Sequence, residues 1–324
     1  MSTVRTRRVH TPALTVSDPG AALRFYTEVL PFEPGERTTI DGAAYGALLG
    51  TAQRTTVEVI ELKLGGERLQ LLHFPNRTGR PVPADSRSND GWFQHAAIVV
   101  TDMAAAYARI APHVTEVSRG PQRLPASLPH AAGIEAIYFN DPDGHVLELI
   151  YFPEGKGDPR WQQPGLPLFA GIDHTAIGTD RTDEALGFYA ALGLDIAGHG
   201  INYGPEQSRL NNVADARLLI TTLRGEAGIG LELLDYLRPG SGRPYPADSA
   251  PWDSWHWHTH LHVDDVRGAY QRLREIKATF ISPAVVDLSD LPTGPREGFL
   301  VRDPSGHALL VGHTAEAFDT SSSI

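Results

Sequence analysis

Residues 255–262 read Trp-His-Trp-His-Thr-His-Leu-His, which puts His256, His258, His260 and His262 at every second position. On an extended strand these four imidazoles share one face, because successive side chains alternate. Four polar rings on one face are costly to bury unless that face is wet, partnered or metal-bound. Three uses stay open: metal ligation, proton transfer around the ordinary imidazole pKa of about 6.5, and a polar wall that holds ordered water. Glu232 alternates with Leu231 and Leu233 and therefore faces the side opposite those two. Solvent or a ligand site would satisfy it equally. The chain has no cysteine, so any metal must be held by His, Asp, Glu or weaker donors, and no disulfide or thiolate nucleophile is available.

An internal repeat supplies the elements that must position these groups. Gly79-Arg80-Pro81-Val82-Pro83-Ala84-Asp85-Ser86 recurs as Gly242-Arg243-Pro244-Tyr245-Pro246-Ala247-Asp248-Ser249. Phe25-Tyr26 recurs as Phe188-Tyr189, and Asp141-Pro142-Asp143-Gly144-His145 as Asp303-Pro304-Ser305-Gly306-His307. Two matching halves follow, 1–155 and 165–315, joined by the Pro/Gly-rich stretch Pro153–Pro167. Each half repeats within itself: an apolar strand ending near an Asp, an amphipathic helix with apolar residues three and four apart, then about three strands. Asp141 and Asp303 read as turn formers, and His145 and His307 as structural. One such βαβββ unit leaves a curved sheet face open, and two units together enclose a cup. The alternative is a cup filled by side chains. The fold class expected is α+β, with four βαβββ modules paired into two cup-shaped mixed-sheet domains.

A chain of 324 residues suffices for two domains, and 41% hydrophobic against 21% charged residues is a globular composition. The formal net charge of −11 disfavours a nucleic-acid partner, which calls for clustered Lys and Arg. No apolar run approaches the length of about 20 residues that spans a bilayer, and the first twelve residues lack the apolar core of a signal peptide. A cytoplasmic protein with a small-molecule substrate, no nucleic acid and no membrane is expected, as a monomer or homodimer.

The run His174-Thr175-Ala176-Ile177 followed by Phe188-Tyr189, and the segments 141–149 and 230–236, resemble the vicinal oxygen chelate superfamily of glyoxalases, bleomycin-resistance proteins and extradiol dioxygenases. The resemblance covers nearly the whole chain and implies metal ligands on the first and last strands of each module, facing the cup. Carried over position by position, it marks Thr11 and Gln70 in module one and His95 and Glu148 in module two. It marks His174 and Glu232 in module three, and His258 and Leu310 in module four. His10, one residue from a marked position, is expected on the opposite face. If neighbouring modules pair, the N-terminal cup is degenerate and the C-terminal cup holds His174, Glu232 and His258. That set suits a divalent first-row metal, iron(II) favoured, with zinc, manganese or nickel as alternatives. His260, His256 and Tyr236 are then the candidate catalytic groups, Trp252, Trp255, Trp257 and Tyr203 candidate pocket walls, and 202–212 a candidate lid loop. If modules two and three pair instead, and one with four, the set becomes His95, Glu148, His174 and Glu232. The resemblance implies a dioxygenase-like metalloenzyme, with a glyoxalase-type lyase or isomerase, or a non-catalytic drug-resistance binder, as alternatives.

Overall fold

The computed structural model describes residues 4–313, so positions 1–3 and 314–315 of the two expected halves lie outside the described residues. Module one runs β1 (Thr6–Thr15), α1 (Pro19–Arg24) continued by a π-helical turn over Phe25–Val29, β2 (Glu33–Gly42), α2 (Ala43–Leu48), β3 (Thr55–Leu64) and β4 (Glu67–His73). Module two contributes β5 (Gln94–Val100), α3 (Met103–Ile110), the short β6 (Thr115–Glu116) and β7 (Gln122–Arg123), β8 (Glu135–Asn140) and β9 (Val146–Tyr151). Module three has β10 (Phe169–Thr179), α4 (Thr182–Ala191), β11 (Asp195–Tyr203), α5 (Pro205–Asn211), β12 (Arg217–Arg224) and β13 (Gly230–Arg238). Module four has β14 (Trp257–Val263), α6 (Val266–Glu275), β15 (Thr279–Phe280), β16 (Val286–Asp287), β17 (Glu297–Arg302) and β18 (Ala308–His313).

The Asp at the end of three first strands caps the helix that follows. Asp18, Asp102 and Asp265 each accept a hydrogen bond from a backbone N–H of the first turn, at 2.9, 2.9 and 2.8 Å. The Asp-Pro-x-Gly segments are turns, as expected. Asp141 Oδ1 accepts from the amides of Asp143 and His145, and Asp303 Oδ1 from those of Ser305 and His307. The tyrosine of each Phe-Tyr pair closes on such a turn: Tyr26 donates to Asp141 and Tyr189 to Asp303, both at 3.1 Å.

The modules pair crosswise, and this corrects the neighbouring pairing on which the C-terminal cup was built. One sheet runs β15-β17-β18-β14-β1-β4-β3-β2 and joins modules one and four; the other runs β11-β12-β13-β10-β5-β9-β8-β6 and joins modules two and three. In each sheet the two first strands lie antiparallel at the centre, β1 on β14 and β10 on β5. All modules present the same kind of first-strand edge, so backbone hydrogen bonding alone does not choose between partners. One apolar cluster unites residues of both sheets with the helices, including Leu14, Ile60, Ile98, Leu149, Ile172 and Trp257. The cup of modules one and four is plugged by a second cluster in which Tyr45 and Leu48 of α2 meet Leu72, Leu300 and Leu310. The cup of modules two and three keeps a cavity of about 880 Å³. The suspected loop 202–212 is mostly α5, whose Gln207 and Leu210 help line that cavity. Among the described residues no helix is long and apolar enough to cross a membrane.

Candidate metal centre

Four central strands of the second sheet, in the order β13-β10-β5-β9, carry one candidate ligand each. Each first strand brings a histidine, His95 on β5 and His174 on β10; each last strand brings a glutamate, Glu148 on β9 and Glu232 on β13. The parallel registers Ala97↔Glu148 and Ala176↔Glu232 set the two acids at matching positions beside the two histidines. Glu148 Oε2 lies 3.2 Å from His95 Nε2 and 3.5 Å from His174 Nε2, and Glu232 Oε2 lies 3.5 Å from the same His174 nitrogen. His95, Glu148 and His174 each offer an atom within 4.8 Å of the other two, and all three residues are buried.

The surroundings orient the ligands. Asp173 accepts from His174 Nδ1 at 2.9 Å and from the Trp161 indole N–H at 2.6 Å, with Arg224 3.5 Å away. This fixes the ring so that His174 Nε2 faces the acids, the usual carboxylate–imidazole support of a metal ligand. Consecutive strand residues share this face because a register shift falls between Ile172 and His174. Thr222, opposite Glu232 on β12, donates to Glu232 Oε1 at 2.7 Å and leaves Oε2 toward His174. Burial opposes the charged form of His174, but Glu232, Asp173 and Glu148 outweigh it and hold its pKa well above the imidazole value. Burial likewise opposes ionisation of Glu148, yet His174 and His95 keep its carboxyl below the usual range. Burial works against Asp173 too, and His174 and Arg224 hold its carboxyl low.

The donor set and one orphaned group fit a divalent cation. Both ring nitrogens of His95 are buried without a hydrogen-bond partner among the described residues; Nε2 is close to Glu148 but not aligned with it. The two imidazoles and the Glu148 carboxylate lie within mutual reach and Glu232 lies against His174, a donor set suited to a first-row metal.

The sequence-marked residues divide between the two sheets. His174 and Glu232 meet here, joined by His95 and Glu148. His258 does not: it lies on β14 of the other sheet, with His256 Nε2 3.4 Å from its Nδ1. The C-terminal set of His174, Glu232 and His258 is therefore corrected, because crosswise pairing separates β10 from β14. His256 and His260 are also on the far sheet, and burial holds the pKa of all three rings below the free value, His258 at about 4. His10 stands on the same side as His260 and touches Thr11, contrary to the alternation argument, since the register of β1 shifts between Val9 and Pro12. Tyr236 is buried on β13 and lines a different pocket, with Leu234 and Arg243. Sequence reasoning missed Asp173, Thr222, Arg224 and Tyr138, whose ring lies 4.8 Å from His95. Only the carboxylate next to His174 in sequence offered a signal.

A family model described as "Glyoxalase/Bleomycin resistance protein/Dioxygenase superfamily" matches residues 8–149 and 171–311. Among solved structures the chain is similar to glyoxalase I from Zea mays, at 14% identity and a TM-score of 0.61, with 96% of this chain and 92% of that one covered. It is also similar to a "putative dioxygenase" from Bacillus subtilis, at 14% identity and a TM-score of 0.57, covering 98% and 88%. At these identities the likeness is one of fold. No curated protein sequence matches the chain.

Proposed function

The chain belongs to the Glyoxalase/Bleomycin resistance protein/Dioxygenase superfamily, and from that premise we propose that it is a metal-dependent lyase or isomerase acting on a small organic molecule with neighbouring oxygens. The observation that carries this reading is the cluster of His95, Glu148 and His174, with Glu232 against His174, in the lining of a cavity of about 880 Å³. Those four residues would hold the cation, which supplies Lewis-acid charge for two adjacent substrate oxygens. The protein's own groups have separate tasks. Asp173 keeps His174 aimed into the cavity, and Thr222 restrains one Glu232 oxygen. Glu232 is the more accessible carboxylate, with 19% of its side chain exposed against 5% for Glu148, so it is the group placed to exchange a proton with a bound molecule. Tyr138, Ile150, Ile220 and Leu234 give the cavity an apolar part of its lining for the carbon frame of a bound molecule.

A second reading rests on the tightest subset. His95, His174 and Glu148 alone are a two-histidine, one-carboxylate group, the set used for oxygen chemistry with iron(II). Elemental analysis of untagged protein purified without chelator tests both. About one equivalent of a divalent first-row metal is expected, lost in His95→Ala and Glu148→Gln. Iron with substrate-dependent oxygen uptake would select the second reading. No metal in the wild type, even after anaerobic loading, would overturn both and leave a small-molecule binder.

A further inference from the structure

A second cavity of about 130 Å³ lies where the two sheets meet, and it shares no lining residue with the metal cavity. Its inner wall is aromatic: Trp257 comes from β14 of one sheet, Phe93 leads into β5 of the other, and Trp92 and Trp255 come from the inter-module linkers. The four rings are between 2% and 8% exposed, so the wall is formed by the folded core rather than by mobile surface groups. The Arg243 guanidinium stacks over Trp92 and that of Arg80 over Trp255, each 4.7 Å from the ring centroid, which pins both rings.

Most polar groups of this wall are already committed. Trp92 donates to Ser86 and Trp255 to Ser249, both at 2.9 Å. His145 hydrogen-bonds Asp141 through Nδ1 and the Ser254 carbonyl through Nε2. Three atoms are left over, one of them Ser88 Oγ. The Trp257 indole N–H and Asn140 Oδ1 are buried with no hydrogen-bond partner among the described residues, an expensive condition for a polar atom. One is a donor and the other an acceptor. The rim, by contrast, is open: Ala84, Ser86 and Arg87 are exposed.

We propose that this seam pocket binds a single-ring aromatic molecule carrying one hydroxyl, of the phenol class. An engineered cavity on the order of 150 Å³ holds one benzene ring, so the size fits. The aromatic wall supplies edge and face contacts for such a ring. A phenolic hydroxyl both donates and accepts, which matches the Asn140 carbonyl and the Trp257 indole N–H. The Phe93 ring stands edge-on to His95 with centroids 5.7 Å apart, so the occupant would rest on a side chain that touches the metal centre.

Phenol itself is the probe, titrated into the full chain and followed by tryptophan fluorescence and saturation-transfer NMR. Phenol also ligates metals, so the titration is repeated with Ala84→Phe, which fills the rim, and with the His95→Ala/Glu148→Gln double variant, which removes the metal centre. Saturable binding of about millimolar Kd is expected, weakened at least tenfold by Ala84→Phe and unchanged in the double variant. Toluene and cyclohexanol should each bind several-fold more weakly. Phenol binding that survives Ala84→Phe, that vanishes with the metal ligands, or that never saturates would overturn the proposal, and the first two outcomes leave the metal-centre reading standing.

Discussion

Arg80 closes on Asp253 across the two inter-module linkers, with its backbone amide and its guanidinium each 2.8 Å from the same carboxylate. Arg243 makes the reciprocal contact with Asp90, at 2.9 and 2.7 Å. The second arm of each clasp runs to the repeat's other acid: Arg80 to Asp248 and Arg243 to Asp85. The repeated Gly-Arg-Pro motif thus ties together the two linkers that carry the chain from one sheet to the other. Asp253 and Asp90 are nearly inaccessible while their arginines are about half exposed. Removing the cation leaves a buried carboxylate unpaired, which is costly even after discounting for solvent around the guanidinium. Arg80→Ala should destabilise the fold by about 2–3 kcal/mol. In a double-mutant cycle with Asp253→Ala the losses should be clearly less than additive; additive losses in denaturant melts would show that the clasp contributes little.

The same linkers need glycine for a steric reason. A Cβ on Gly79 would sit 1.6 Å from the Trp252 carbonyl oxygen, and one on Gly242 2.5 Å from Asp90 Oδ1. Gly79→Ala is therefore expected to cost about 3 kcal/mol or more by forcing the linkers apart. Gly66, in the β3–β4 turn, meets nothing within 4 Å, so Gly66→Ala serves as the matched control and should shift stability by no more than about 0.5 kcal/mol. Equal melting temperatures for the two variants would contradict the close-approach argument.

All four candidate ligand positions were marked in the sequence by the family resemblance, and the repeat frame aligns His95 with His258, His174 with Thr11, Glu232 with Gln70 and Glu148 with Leu310. Which four share a cup was not. Like modules have like edges, and the three inter-module linkers are all long enough to cross between sheets, so the alternating patterns are satisfied by either pairing. The side chains around the ligands were hidden for a different reason. Strict two-residue alternation sends Asp173 away from His174, and His10 away from Thr11, but the register shifts in β10 and β1 bring each pair to one face. That side chains could fill a cup was foreseen, but which residues do so was not, since Tyr45 and Leu48 lie on a short helix between two strands.

Metal content of single variants separates the two pairings chemically. His95→Ala and Glu148→Gln remove ligands from the centre and should lower metal occupancy by at least tenfold, whereas His258→Ala acts in the plugged cup and should leave it unchanged. Thr222→Val frees one Glu232 oxygen without removing a ligand, so affinity is expected to fall by about tenfold, the scale of an outer-shell change, while occupancy at saturating metal is kept. Metal lost in His258→Ala but kept in His95→Ala would reverse the assignment.

The twin histidines of the Asp-Pro-x-Gly turns should titrate in opposite senses. Both are buried, but His145 reaches Asp141 at 2.8 Å through Nδ1 and the Ser254 carbonyl at 2.7 Å through Nε2. His307 reaches only the Gly178 carbonyl through Nε2, and its Nδ1 finds no partner among the described residues. Burial alone would depress His145, yet Asp141 overrides it and lifts the pKa to about 9, while burial leaves His307 lowered. The unfolded chain titrates near the free imidazole value of about 6.5. The His145 contribution is therefore complete below that pH, declines as pH rises, and is lost once the folded pKa of about 9 is passed. It amounts to something on the order of 3 kcal/mol. Denaturant unfolding of wild type should show stability falling between pH 6.5 and 9, and His145→Gln should reduce that slope, leaving the part that His174 contributes. His307→Gln should not flatten it. An unaltered alkaline slope in His145→Gln would show that the ring is neutral in the folded protein.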